Sequence, residues 1–184
     1  MRREVLPVRK IWMPIASLVL AAVALLALYN GLMPTREANY EKELQTKMET
    51  LLPGSKTFVQ ETYTGEDANI VCVYKGETGY VIGTSTAGYA GPIQMLIGVS
   101  SDGYVTGLQV RDMEETMGLG ANALSDWEFL AQFLRTEGDA TVGTNIDAIT
   151  GATVTSKAIA RSVNSAVAFV TGSDIDSGAT SWGG

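Results

Sequence analysis

The chain has no histidine and a single cysteine, Cys72. These two scarcities exclude a good deal of chemistry. Without histidine there is no Ser-His-Asp or Cys-His nucleophile system and no His-ligated zinc or haem. One cysteine can neither hold an iron–sulfur cluster nor close an internal disulfide. Positive charge is also in short supply. Thirteen Lys and Arg stand against 20 Asp and Glu, a formal net charge of −7, so no nucleic-acid partner is expected. If such a chain takes part in redox or group-transfer reactions, a bound organic cofactor has to supply the chemistry. No catalytic side chain and no metal site is expected.

What the chain does contain is divided along its length. At 184 residues and 46% hydrophobic content it can build one ordinary domain with an appendage. Residues 11–33 form an uncharged run of 23, dense in Leu, Val and Ala and long enough to span a hydrocarbon core as a helix. Arg2, Arg3, Arg9 and Lys10 precede it. The positive-inside tendency then puts residues 1–10 in the cytoplasm and the rest of the chain outside a cell membrane crossed once. A cleaved signal peptide is the alternative, but its best small-x-small site, Ala22-Val23-Ala24, lies inside the apolar run rather than after it. One of the 20 acids and four of the 13 bases precede Pro34, which leaves 19 against 9 beyond it and makes the outer part strongly acidic.

Pro34 is expected to end the membrane helix. A connector helix follows over 35–52, within a connector segment 34–54, with Tyr40, Leu44, Met48 and Leu51 at three- and four-residue spacing and Pro53-Gly54 as its stop. Residues 57–110 hold five runs rich in β-branched and aromatic residues: TFVQETY, NIVCVYK, GYVIGTST, IQMLIGVS and YVTGLQV. Ser101-Asp102-Gly103 between the last two predicts a tight hairpin. In LSDWEFLAQFLR, Ser125 and Glu128 read as a capping box with Leu124 and Phe129 as its hydrophobic staple, giving a helix over 126–135 with Leu130, Phe133 and Leu134 inward and a stop near Gly138. A last helix carries Ile159, Val163, Val167 and Val170 as its core stripe, Thr155 or Ser156 as its cap, and Gly172 as its end. The tail 173–184 is polar and glycine-rich. Strands first and helices later predict an α+β fold: a mostly antiparallel sheet with packed helices over 55–172, preceded by one transmembrane helix.

Two stretches are not explained by the fold alone. In DAITGATVTS, residues 147–156, a cap needs one hydroxyl, and Thr150, Gly151, Ala152 and Thr153 are left over. Gly151 and Ala152 allow a bulky ligand close to the backbone. The helix beyond them presents free N–H groups and a positive dipole end suited to a phosphate, with Lys157 alongside. In EETMGLGANA, residues 114–123, Gly118-Leu119-Gly120 makes a loop whose backbone can lie against a flat surface. Glu114 and Glu115 are adjacent and point apart, which argues against an acid–base pair.

Together the two stretches carry a resemblance. Asp147-Ala148-Ile149-Thr150-Gly151-Ala152-Thr153 is similar to the D-x-x-[S/T]-G-A-T acceptor signature of flavin-transferase substrates. Glu115-Thr116-Met117-Gly118-Leu119-Gly120 resembles the E-T-P-G-L-G loop of the same FMN-binding domain family, with Met117 where proline is usual. GYAGPIQMLIGVSSDGYVTGLQV at 88–110 shares the family's look. The chain resembles, in particular, the G-subunit family of Rnf ion-translocating electron-transport complexes, related to the C-subunit of the sodium-pumping NADH:quinone oxidoreductase.

The resemblance implies a covalent FMN cofactor on Thr153 through a phosphoester, with Thr150 and Thr155 on the phosphate oxygens, Gly151, Ala152 and Lys157 beside it, and Glu115, Thr116, Gly118 and Leu119 flanking the isoalloxazine ring. Asp147 would be read by the flavin transferase or hold the turn. It implies an electron carrier among other membrane subunits of a ferredoxin:NAD oxidoreductase complex, without turnover of its own. The equivalent subunit of the quinone-reducing relative, a freestanding extracytoplasmic flavinylated reductase, and an anchored binding module without flavin are the competing expectations.

Overall fold

Five strands form one antiparallel sheet in the simple order β1-β2-β3-β4-β5: Val59–Glu61, Ile70–Lys75, Gly79–Ala87, Pro92–Ser100 and Val105–Met113. Each lies within a predicted run or overlaps it to within a few residues. The computed structural model of the protein describes residues 9–113 and 126–173, without the side chains of 9–14, 28, 30–38, 112 and 113. The predicted hairpin at Ser101-Asp102-Gly103 joins β4 to β5. Gly103 sits at φ +88, donates to the Ser100 carbonyl at 2.9 Å, and lets Ser100 N–H reach the Tyr104 carbonyl at 2.8 Å. Two register shifts, at Gln94/Met95 and Gly98/Val99, interrupt the β4–β5 ladder.

Three helices complete the described chain: α1 (Arg9–Leu51), α2 (Trp127–Ala131) and α3 (Thr153–Thr171). The chain divides between Leu44 and Gln45 into two compact units. In the first, Ile15, Leu18, Leu20, Val23, Leu25 and Leu26 are all exposed, so apolar side chains face solvent on every side of α1. Among the described residues no helix is both long and apolar enough to cross a membrane. The uncharged run 11–33 continues at both ends into positions whose side chains are outside the description. The expected break at Pro34 is absent, and α1 is continuous through it. A mid-helix proline loses one backbone bond and clashes with the preceding turn, a cost of about 3 kcal/mol. Here strong helix formers such as Leu32, Met33, Arg36 and Glu37 flank it and keep the helix going.

In the second unit both faces of the sheet are covered. One face carries Ile82, Ile93, Met95, Ile97 and Val99, all at 1% exposure or less, and packs on Ala158, Ile159, Val163, Ala166 and Val167 of α3. Each such side chain contributes about 1.5–3 kcal/mol by leaving water. The stripe expected of α3 is therefore present, with Val170 partly buried at its end. On the other face lie the last residues of α1, where Met48, Leu51 and Leu52 are buried while Tyr40 is half exposed. Their approach is unusually close: a Cβ on Gly98 would run into the Leu51 carbonyl, and Thr106 Oγ1 donates to that same carbonyl at 2.6 Å. Of the connector stripe, Met48 and Leu51 are buried, Leu44 is half-buried and Tyr40 is exposed.

Helix α2 is shorter than the predicted 126–135. Its cap is Asp126, whose Oδ1 accepts from Glu128 N at 2.9 Å and Phe129 N at 3.2 Å, in place of the Ser125 box; Leu124 and Ser125 lie outside the described residues. After Ala131 the chain tightens into i→i+3 bonds, and Arg135, at φ +68, donates to the Val105 carbonyl at 2.9 Å while Val105 N–H reaches Thr136 O at 3.2 Å. The free edge of β5 captures the chain before the last helical turn can form. Phe129 and Phe133 are buried edge to face, 5.3 Å apart, Leu130 is partly buried, and Leu134 is intermediate.

Candidate functional site

Sheet and helix polarity bring the end of β5 and the start of α3 to one end of the second unit. Near the end of β3, Thr86 Oγ1 donates to the Ala158 carbonyl at 3.1 Å; near its start, Tyr80 stacks edge to face on Phe169 at 5.6 Å. Helix α3 therefore runs antiparallel to β3, and its N-terminus lies where β3 ends. Strand β5, two strands away and parallel to β3, ends at Met113 on that same side, where its last residue pairs with Ile93. Met113 is the last described residue before the 114–123 stretch. Glu115, Thr116, Gly118 and Leu119 themselves lie outside the described residues.

The acceptor stretch folds as a turn followed at once by a helix. Ala152 N–H donates to the Ile149 carbonyl at 2.9 Å across Thr150-Gly151, and Gly151 adopts φ +80 at the third position, as a type II turn requires. Helix α3 opens with Ala152 as its N-cap, and among the described residues no side chain caps it. The expectation that Thr155 or Ser156 is the cap is corrected: both lie within the first turn and are buried, at 1% and 0% exposure. Ser156 Oγ is used elsewhere, donating to the Ala152 carbonyl at 3.0 Å and accepting from Ile149 N at 3.3 Å, which locks the turn onto the helix. The result is a long helix whose first amides have no side-chain cap among the described residues. They offer hydrogen-bond donors and a positive dipole end to an anion.

The predicted site residues separate into two groups around this helix start. Thr150, Gly151, Thr153 and Lys157 are exposed, with Thr153 the first helical residue and Lys157 one turn on. Ala152 is buried at 5% and Thr155 at 1%, so the Thr155 side chain faces the interior while Thr153 faces out. At Thr155 the backbone N–H, and not the buried hydroxyl, belongs to the open helix start. Asp147 has an exposed side chain. The bonds that hold the segment come from Gln132 of the α2 turn, whose Oε1 accepts from Asp147 N at 2.7 Å, and from Ser156. Gln132 was not legible as a site residue, because it stands 15 positions away and nothing local marks it.

One further group sits at this end. Arg161 of α3 donates from Nη2 to the Ala87 carbonyl at 3.2 Å, while its Nε is sealed from solvent with no acceptor among the described residues. An exposed hydroxyl at a helix start, uncapped amides, a glycine turn that keeps side chains away, and a cation with an unused buried donor together suit a phosphorylated, electron-rich ligand such as FMN.

The profile of the FMN-binding domain family matches residues 88–168, which run from the β3–β4 turn through most of α3. The G-subunit of the ion-translocating oxidoreductase complex of Methanosarcina acetivorans is 35% identical over 178 residues, covering 85% of this chain and 92% of that protein. The G-subunit of the Na(+)-translocating ferredoxin:NAD(+) oxidoreductase complex of Acetobacterium woodii is 39% identical over 58% of this chain. That of the proton-translocating complex of Clostridium ljungdahlii is 41% identical over 50%. The matched region spans about half, 53%, of each of these two relatives. With a full-length relative at this identity and the FMN-binding profile lying on the site just described, the chain belongs to the G-subunit family of ion-translocating oxidoreductase complexes.

Proposed function

We propose that the chain is a covalently flavinylated electron carrier of an Rnf-type ferredoxin:NAD oxidoreductase complex, anchored in the cell membrane by residues 11–33 with its FMN domain on the extracytoplasmic side. The observation that carries the reading is the start of α3: an exposed Thr153 at the first helical position, directly after the Gly151 turn and ahead of uncapped amides. Bound FMN supplies the electron exchange that a chain without histidine and with one cysteine cannot.

The chain's own residues then have distinct tasks. Thr153 Oγ1 is the attachment atom. The first-turn N–H groups, the Thr155 amide among them, hold the phosphate together with the Thr150 hydroxyl, and Lys157 balances its charge. Gly151 and Ala152 leave room for it, and Gln132 and Ser156 fix the turn. Glu115, Thr116, Gly118 and Leu119, which follow the end of β5 in the chain, would flank the ring. Covalent attachment suits a domain outside the cytoplasm, where little free FMN is present to keep a site loaded by mass action. The uncharged run 11–33 and the all-round apolar exposure of α1 support the anchor.

The other membrane subunits of the complex are the partners for electron exchange, and a flavin transferase is the partner for maturation. The test is flavin fluorescence on a denaturing gel of the full chain made in its own host. Fluorescence that migrates with the unfolded polypeptide supports the reading. A colourless, non-fluorescent band favours an anchored binding module.

A further inference from the structure

The geometry points to Arg161 as the residue that fixes the FMN ring and compensates its charge, an inference that rests on the proposed attachment at Thr153. Thr153, Lys157 and Arg161 follow one another at i, i+4 and i+8 on α3, within one quarter of its circumference. At 1.5 Å per residue, Arg161 starts about 12 Å along the axis from Thr153. Side chains on a helix lean toward its N-terminus, so the guanidinium lies closer to Thr153 than its own Cα does. Its bond goes to Ala87, one residue beyond Thr86, which meets α3 at Ala158 and Ser162 on either side of Arg161, and so lies one step further toward the α3 N-terminus. A flavin esterified at Thr153 and laid along this face carries its ring toward that guanidinium.

Lys157 is exposed on a flexible stem, whereas Arg161 is half-buried and pinned by Ala87. Among the described residues its Nε donor has no acceptor and is shut away from water, an arrangement that costs stability unless something nearby brings negative charge. The pyrimidine edge of the isoalloxazine ring offers a row of oxygen and nitrogen acceptors, and negative charge collects on that edge when the ring is reduced. A planar guanidinium matches it. In a domain with 19 acids and 9 bases beyond Pro34, a fixed cation at this spot weighs heavily on the ring's affinity for electrons.

The test compares the full chain from its own host as wild type, Arg161→Gln, Arg161→Met and Arg161→Lys. Intact mass establishes loading, and equilibration with a redox dye of known potential reads the flavin. Both neutral variants should stay loaded and shift their equilibrium toward oxidised flavin by roughly tenfold or more, the scale of one lost charge at partly shielded range. Arg161→Lys should stay within about threefold of wild type, and the difference between wild type and the neutral variants should shrink at high salt. Loaded neutral variants that match wild type within about twofold overturn the assignment. So do neutral variants that fold but lose the flavin, or that fail to fold, because Arg161 would then act in attachment or structure. A wild-type protein without flavin sinks the attachment at Thr153 itself and is told apart because it is read on the unmutated chain.

Discussion

Thr86 of β3 and Ser162 of α3 meet through their hydroxyl oxygens at 2.8 Å, in a wholly buried position. The single proton of Thr86 goes to the Ala158 carbonyl, so Ser162 is the donor between the two. This pair sets the height at which the helix rides on the sheet, and with it the position of Thr153 nine residues upstream. Replacing Thr86 with Val leaves the Ser162 hydroxyl without its acceptor in a dry site. Thr86→Val should lower stability by about 1–3 kcal/mol, and adding Ser162→Ala should cost less than the two single changes summed. Urea midpoints of the purified full chain check this. Additive losses would contradict it.

Gly98 is the point where the end of α1 touches the sheet. A methyl group there overlaps the Leu51 backbone, which cannot move without disturbing the Thr106 bond. Gly98→Ala should destabilise the second unit by about 1–3 kcal/mol, as overpacking does. A midpoint equal to wild type would show that the helix end is not seated as described.

Gly151, at φ +80, holds a conformation that costs other residues about 1–2 kcal/mol. Gly151→Ala should therefore lower stability by that amount and, by twisting the turn, reduce the fraction of chains that acquire flavin. Mass spectrometry reads occupancy, and full occupancy in a strained variant would separate the turn from attachment.

Burial raises the thiol pKa of Cys72, an effect that hydrogen bonds from Tyr74 and from the Gly83 backbone oppose only in part. The neutral thiol is the form the fold favours. Its contribution to stability is complete below the free-thiol value of about 8.5 and is lost as pH rises through the higher folded value. At pH 7.5 Cys72 should alkylate more slowly than a free thiol, with the rate rising at a higher pH than for a free thiol. A thiol that titrates at or below the free value would contradict the burial.

How much of this was legible in the chain follows from what each signal depended on. The strands were readable because β-branched runs and the Asp102-Gly103 turn are local and act together. Helix α3 was readable in its stripe and at Gly172, which adopts φ +65 as its C-cap. Its start was misread, because hydroxyl residues at 153–156 look like caps and only burial shows that Thr155 and Ser156 belong to the first turn. The end of α2 was misread for a different reason: β5 pulls Arg135 and Thr136 into edge pairing, a tertiary effect with no local trace. Pro34 marks a helix break by its own chemistry, and the flanking sequence overrides it. At the site, the Thr150-Gly151 turn falls in a local stretch that stands out in the chain, while Gln132 reaches Asp147 from another element entirely.

The central claim is a bond at one atom, and the intact mass of the full chain from its own host, beside Thr153→Ala, tests it most directly. The account predicts wild type heavier than the bare polypeptide by one FMN less a water and the variant at the bare mass. A wild type at the bare mass, or a Thr153→Ala variant that still carries the flavin, would contradict it.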